Sequence, residues 1–480
     1  MNATSLLEVF INSVPGETRL AFTENGRLKN LVITFDGNGS LIGNIYLGRV
    51  EKVVAGMNAA FIDIGRGVSG FLSANDGQLF NPNKEKPKLI NILFKEGDTV
   101  LVQVTRDESN GKGVKLTTRI DLVGRTIVAV LGREGVSISK SIIDIVDRKR
   151  LKSALDEFET SIIGLIVRTN GQFVSPKELQ KEAKNLLDQT SEIVAQQTKR
   201  KAPVCLYKQA DQILKFLRDF GNSDWQRIVI DERGTLLKIS EYIKDFVPEL
   251  RGMIEFADDP NALFETYDLD QQIEDLLQPT IFLPSGGRLI IEETEALISV
   301  DVDSGSHNRD RSIEAFARAV NEESAIELAR QLVLRNLAGQ IVVDFLPMKQ
   351  KKNREYIQSL LSNLLGAGNN CNIYGFSRLG LLEMTRQRVG ESLASRFNVK
   401  NGHIKTVRAI AIDAIRAILR EIDRNPGKMI TVRCSHALYL CFKGDMKKIW
   451  VELLNRTGPI VILEEFSDSP RNQFELQTLY

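Results

Sequence analysis

The stretch from residue 296 to 345 constrains the fold most, because it reads as strand, long helix and strand in direct succession. "ALISVDVDSG" (296–305) alternates in character, placing Ile298, Val300 and Val302 on one face of an extended chain and Ser299, Asp301 and Asp303 on the other. The helical stretch that follows offers Ile313, Phe316, Val320, Ile326 and Leu332 for packing and ends near Gly339, ahead of "IVVDF" at 341–345. Such an order implies a parallel strand pair joined by a right-handed crossover, with both carboxyl ends at one edge. Asp301 and Asp344 are then expected as neighbours.

Carboxylates converging from adjacent strand ends, with no histidine or thiolate close in sequence, suit a hard cation such as Mg²⁺ better than zinc. On spacing alone a second reading stands beside this one, in which the acids cap strand ends or pair with Arg309 and Arg311. Downstream lie Lys349, Lys351, Lys352 and Arg354, then Arg378, Arg386 and Arg388 in "GFSRLGLLEMTRQRVGESL". These bases either follow a phosphate backbone past a metal or form a solvated surface.

The rest of the chain divides by changes of period. At 480 residues it is long enough for roughly three domains. Short strands separated by glycine-bearing turns over 40–118 suit a small barrel. In "NAAFIDIG", Ile62 and Ile64 share one face, leaving Phe61 on the opposite face as a stacking platform for single-stranded bases, which Phe71 and Lys112 extend. The G-x-G-x-x-G at Gly65–Gly70 runs into "FLSAND", which opens no long helix and argues against a dinucleotide site. Between 119 and 211 the pattern is mixed: the strand of "GLIVRTNG" ends in Arg168 and Thr169, just before "SPKE" (175–178), an N-cap with a capping box. A guanidinium, a hydroxyl and helix N–H groups there suit a terminal phosphate; a solvated arginine at a strand end is the alternative. "FDGNG" at 35–39 closes an N-terminal hairpin-like region, "WQRIVID" at 225–231 reads as a strand, and 406–422 reads as an amphipathic helix that opens a small terminal unit.

Lys plus Arg at 63 against Asp plus Glu at 62 leaves a net charge of +1, so a nucleic-acid surface must come from local clustering. Cys205, Cys371, Cys434 and Cys441 contain no C-x-x-C pair, and His307, His403 and His436 do not complete a zinc knuckle. No signal-peptide pattern opens the chain and no apolar run reaches the ~18 residues of a membrane span, so a cytoplasmic protein is expected.

The motifs "GNIYLGRVEKVVAGMNAAFIDIGRGVSGFL", "GLIVRT", "ALISVDVDSG", "IVVDFLPM" and "SRLGLLEMTRQR", in that order, resemble the bacterial ribonuclease E/G family over about residues 2–480. The resemblance implies an α/β multidomain chain: a discontinuous RNase H-like scaffold (1–38 and 212–277), an inserted S1 (OB-fold) barrel (39–118), a 5′-sensor segment (119–211), a DNase I-like catalytic domain (278–400) and a small C-terminal α/β domain (401–480). It implies a Mg²⁺-dependent endoribonuclease acting on single-stranded RNA in RNA processing and decay, leaving 5′-phosphate and 3′-hydroxyl ends. Asp301 and Asp344 match the metal-holding pair, and Asp303 stands as a third catalytic-site acid where the family often has Asn. Arg168 and Thr169 match the 5′-monophosphate pocket, Phe61, Phe71 and Lys112 the RNA-gripping barrel surface, and Arg378 a motif beside the active site in which Leu379 replaces a frequent Phe. The family's C-P-x-C zinc link is missing from "GESLASRFNVKNGHIKTVR", so any homo-oligomer is expected without zinc. With no long disordered arm in the sequence, the resemblance implies a compact catalytic body, and no scaffold role for other degradation enzymes is expected. The rival reading is a non-catalytic RNA-binding protein whose acids are structural.

Overall fold

The computed structural model describes residues 5–35, 40–78, 89–108, 113–158, 160, 162–305, 313–366, 371–387, 391–397, 405–466 and 473–479. Two compact units emerge, one of Met1–Gly37, Asn222–Glu241 and Glu249–Tyr480, the other of Asn38–Gly221 and Tyr242–Pro248. The mixed α/β, multidomain character expected from the sequence holds in both.

In the second unit, strands Ile45–Val54, Ala59–Asp63, Gly70–Ser73, Lys115–Thr117 and Thr99–Arg106 pair in that order, and the last returns to the first. Five strands thus close into a barrel of the S1/OB kind, with Ile62, Leu72, Val102 and Leu116 inside. Packing at the Gly70 corner is tight: a Cβ there would lie 2.5 Å from Leu116 Cδ1. Strand Val204–Tyr207 adds to the outside of Ile45–Val54. A second, four-stranded sheet runs Val136–Ile138, Ile163–Val167, Ile127–Leu131, Asp121–Val123. Helix Pro176–Lys199 packs on it through Leu179, Ala183, Leu186 and Ile193. Its start is the capping box read from "SPKE": the Ser175 side chain accepts from Glu178 N–H, and the Glu178 carboxylate accepts from Ser175 N–H at 3.2 Å.

The first unit opens with the antiparallel meander Leu7–Val14, Glu17–Glu24, Arg27–Phe35, which Arg227–Ile230 and Ile254–Phe256 extend in parallel beside Leu7–Val14. Residues 36–39 of the "FDGNG" turn lie outside the described residues. A six-stranded sheet follows in the order Thr280–Phe282, Arg288–Glu293, Ile298–Asp303, Gly339–Asp344, Leu382–Arg386, Cys371–Phe376. Helices Ile313–Leu334 and Lys351–Leu365 bury one face of it, where Ile298, Val300, Val302, Ile341 and Val343 meet Leu328, Leu332, Ile357 and Leu361. On the other face Asp301, Asp344 and Glu383 are exposed. The chain ends in a three-stranded sheet, Val461–Glu465, Met429–Cys434, Phe474–Leu479, packed with helices Val407–Arg424, His436–Lys443 and Lys447–Thr457. Among the described residues no helix is long and apolar enough to cross a membrane.

One buried acid ties the first sheet together. Asp231, just past the strand Arg227–Ile230, accepts from Asn12 Nδ2 at 2.6 Å and from Ser13 N–H at 2.8 Å. Burial pushes its carboxyl up to about 7, against the pull of those two donors. Because this lies above the unfolded value of about 3.9, the folded chain retains a proton that the unfolded chain releases. The Asp231 contribution to stability is therefore full below about pH 4 and lost as the pH rises toward 7. Urea unfolding at several pH values should show a fall in stability across this window that Asp231→Asn flattens; equal slopes in parent and variant would reject it.

Candidate active site

The two acids singled out in the sequence meet across the parallel ladder. Ile298 pairs with Ile341, Ser299 with Val342, Val300 with Val343 and Asp301 with Asp344. Paired residues in a ladder point to one face and their strands lie about 4.8 Å apart, so both carboxylates stand side by side on the open face. Among the described residues no group of three or more His, Cys, Asp or Glu is arranged to hold a metal ion, so the candidate cation site is a pair.

Asp303 shares that face but is already engaged. Its Oδ2 accepts from Arg288 Nε at 2.9 Å and Nη2 at 2.6 Å, and its Oδ1 accepts from Gly305 N–H at 2.9 Å. The Gly305 N–H first and the Arg288 guanidinium second hold its carboxyl below the usual range. Arg309 and Arg311, the partners weighed from sequence, lie outside the described residues. Gly305 has φ +63°, and a Cβ there would lie 2.4 Å from Gly286 O. The "DSG" turn and the "SGGR" turn at 285–288 are therefore pressed together in a way only glycine permits.

Beyond Asp344 the chain is clamped from below. The fully buried Asn321 receives Leu346 N–H on Oδ1 and donates Nδ2 to Leu346 O, both at 2.9 Å. Glu314 accepts from Lys349 N–H at 2.9 Å, Gln350 N–H at 3.0 Å and Asn353 Nδ2 at 2.8 Å. Lys349, Lys351 and Lys352 are left exposed, whereas Arg354 turns back to Met348 O at 2.6 Å. Arg378 is exposed in the turn between the last two strands, closed by Ser377 N–H to Leu381 O at 2.8 Å. Since Val343 pairs with Leu382, this turn emerges at the Asp344 edge, with Leu379 87% exposed beside Arg378.

Arg386 goes elsewhere. It pairs with Gly339, five residues or roughly 16 Å along the strand from Asp344. It donates Nη1 to Leu337 O at 2.7 Å, and burial draws its guanidinium below the ordinary value. The structure therefore does not bring Arg386 to the acid pair. Arg388 and Lys112 lie outside the described residues.

On the barrel, Phe61 pairs with Phe71 and their rings meet edge to face at 6.0 Å. Both point away from the barrel core. Register continues the row to Lys52 on one side and to Lys115 and Arg106 on the other. Sequence reasoning missed Lys52 and Arg106 for a definite reason. Bulges between Val50 and Lys52 and between Val104 and Arg106 break the alternation, so a period-two reading places them wrongly.

Arg168 Nη1 donates to Asp219 Oδ1 at 2.6 Å and to Gly124 O at 2.8 Å. Asp219, which no sequence motif flags, is pushed up by burial, but the Arg218 and Arg168 guanidiniums outweigh that and hold it low. Thr169 is exposed, with its hydroxyl 3.3 Å from that of Ser139. The Ser175 hydroxyl and the Glu178 N–H are spent on their own cap, which leaves the Thr169 and Ser139 hydroxyls beside an Arg168 held by Asp219.

The family model described as the ribonuclease E/G family matches residues 121–389. Ribonuclease G of Escherichia coli (strain K12) is 31% identical over 452 residues, covering 91% of this chain and 92% of that protein. Ribonuclease G of Haemophilus influenzae is 32% identical over 446 residues, covering 90% and 91%. Ribonuclease E of Nostoc sp. (strain PCC 7120) is 35% identical over 364 residues, covering 74% of this chain and 52% of that protein. The chain belongs to the ribonuclease E/G family.

The Asn321 clamp yields a direct test. Asn321→Leu leaves the Leu346 N–H and C=O without their side-chain partners and should cost about 2–4 kcal/mol of stability. Urea denaturation measures this; a loss under about 0.5 kcal/mol, the size of an ordinary surface substitution, would show the clamp to be dispensable.

Proposed function

We propose that the chain is an endoribonuclease that hydrolyses single-stranded RNA with the help of Mg²⁺, leaving 5′-phosphate and 3′-hydroxyl ends, and that it acts in RNA processing and decay. The observation that carries this reading is the register of Asp301 against Asp344 on an exposed sheet face, in a chain whose relatives are named ribonuclease G and ribonuclease E. The donor set suits magnesium. Two paired carboxylates, in no larger His, Cys, Asp or Glu cluster among the described residues, fit an ion that is held by one or two acids and keeps most of its waters. When bound, Mg²⁺ supplies charge neutralisation at the phosphoryl oxygens and a water of lowered pKa.

The chain's own residues do the rest. Asp301 and Asp344 hold the ion, and Asp303, neutralised by Arg288, steadies the strand end beneath it. Arg378 and Lys349 stand exposed after the neighbouring strands and contact phosphates flanking the cut. Phe61 and Phe71 stack bases on the barrel while Lys52, Lys115 and Arg106 face the backbone. Arg168 and Thr169 receive a 5′-monophosphate, with Asp219 fixing the guanidinium.

The domain assignment belongs to the same proposal. The first sheet, three antiparallel strands extended by two parallel ones, supports an RNase H-like scaffold over 1–38 and 212–277. The barrel supports S1 at 39–118 and the four-stranded sheet a 5′-sensor at 119–211. The six-stranded sheet supports a DNase I-like unit at 278–400, leaving 401–480 as the small C-terminal domain. A homo-oligomer of this chain would form without a zinc link, since residues 390–408 contain no cysteine.

Asp301→Asn and Asp344→Asn should each lower cleavage of a labelled single-stranded RNA by at least a hundredfold while leaving RNA binding within about threefold. Cleavage at the parental rate, or cleavage by the parent that persists in excess chelator, would remove the metal-site assignment. A second comparison addresses the 5′ pocket: the parent should favour 5′-monophosphate over 5′-hydroxyl RNA, and Arg168→Ala should erase the preference. Equal rates in the parent would dismiss Arg168 and Thr169 as a sensor.

A further inference from the structure

The open face of the six-stranded sheet carries two exposed aromatic rings that the acid pair does not explain. Phe282 ends the edge strand Thr280–Phe282, where it pairs with Arg288, which in turn pairs with Asp303. Residues paired across a ladder share a face, so its ring stands on the face of Asp301, and it is 80% exposed. Tyr374 lies in the opposite edge strand, its hydroxyl 3.2 Å from Thr385 Oγ1. Thr385 pairs with Gln340, which alternation puts on the same face as Val342 and Asp344, and Tyr374 is 67% exposed.

Strand order sets the spacing. Phe282 is two strands from Asp301 and Tyr374 is two strands from Asp344, on opposite sides. At about 4.8 Å per step each ring stands about 10 Å laterally from its nearer acid, and the two are about 24 Å apart. Between them the face is acidic: among the described residues Glu292, Asp301, Asp303, Asp344 and Glu383 stand against the guanidinium of Arg288. An RNA backbone is not drawn to such a surface by charge. Arg378 and Lys349 reach only the phosphates beside the Asp344 edge, so a grip farther out across this face works through the bases, and a base offers an aromatic ring its π-face whatever its identity. Sheet-borne aromatics that stack single-stranded bases are an established mode of RNA recognition.

We propose that Phe282 and Tyr374 stack on bases on the two sides of the linkage positioned at Asp301 and Asp344, making the open sheet face a platform for single-stranded RNA. This rests on the nuclease reading above and deepens it, because the rings set where along the strand the cut falls.

The test uses the full chain carrying Asp344→Asn and a short unstructured RNA with 2-aminopurine placed singly along its length. Quenching should appear at two separated positions. Phe282→Ala should remove one and Tyr374→Ala the other, each weakening binding on the order of tenfold, while Phe282→Tyr and Tyr374→Phe retain both. In the chain with Asp344 intact, the alanine variants should raise KM and leave kcat nearly unchanged. Parental quenching and KM in the double alanine variant overturn the proposal. So does a double variant that changes oligomeric state in sedimentation while binding RNA as before, which would give the face to a second copy of the chain. Failure of the nuclease reading is separately visible, since it appears as cleavage by Asp344→Asn and not as a change in quenching.

Discussion

The register between Ile298–Asp303 and Gly339–Asp344 is the constraint on which the candidate site depends. Side chains alternate with a period of two, so a slip of one residue would turn Asp344 toward the helices and bring Val343 to the solvent. That slip is prevented by the apolar partners of the same ladder. Ile298, Val300, Ile341 and Val343 are buried against the two covering helices, and removing four such side chains from their pocket would cost several kcal/mol. The acids are thus placed by their hydrophobic neighbours.

Placement of the loops around the pair follows a different rule. There the backbone leaves regular pairing, and its polar groups are satisfied by side chains rooted in the helix below, Asn321 under Leu346 and Glu314 under Lys349 and Gln350. The acids divide accordingly. Asp303, Glu314 and Asp219 are matched with donors or guanidiniums and serve to hold geometry. Asp301 and Asp344 stand together on an exposed face. Two adjacent carboxylates there repel unless water or a cation intervenes, which gives the pair its chemical potential as a site.

Much of this was legible in the residues. The alternation in "ISVDVD", the crossover helix, the capping box at Ser175, the barrel strands and the opposed faces of Phe61 and Ile62 all follow local periods that tertiary packing here leaves intact. The failures share a cause. Lys52 and Arg106 join the aromatic row only because bulges change the parity of their strands, and a bulge leaves no unambiguous mark in the order of residues. Arg386 belongs to a basic run that looks continuous in sequence, yet each residue along a strand carries it about 3.3 Å farther from the edge, so it ends beside Leu337 instead of near Asp344. Asp219 and Asn321 carry no motif at all, since their partners Arg168 and Leu346 are 51 and 25 residues away.

What the sequence by itself determined were the properties encoded at short range: which segments are strands and helices, which faces are apolar, and which acids end the two strands that a crossover must make parallel. Chemistry at those ends could be named because the crossover rule converts local order into adjacency. Only the tertiary structure decided which charged groups are consumed by partners and which stay available. It engaged Asp303 with Arg288 and Arg168 with Asp219, and it left Asp301, Asp344, Phe282 and Tyr374 exposed on one face. Ion pairs and sheet order join residues far apart in the chain, and their energies depend on distances of a few ångströms that no local pattern specifies.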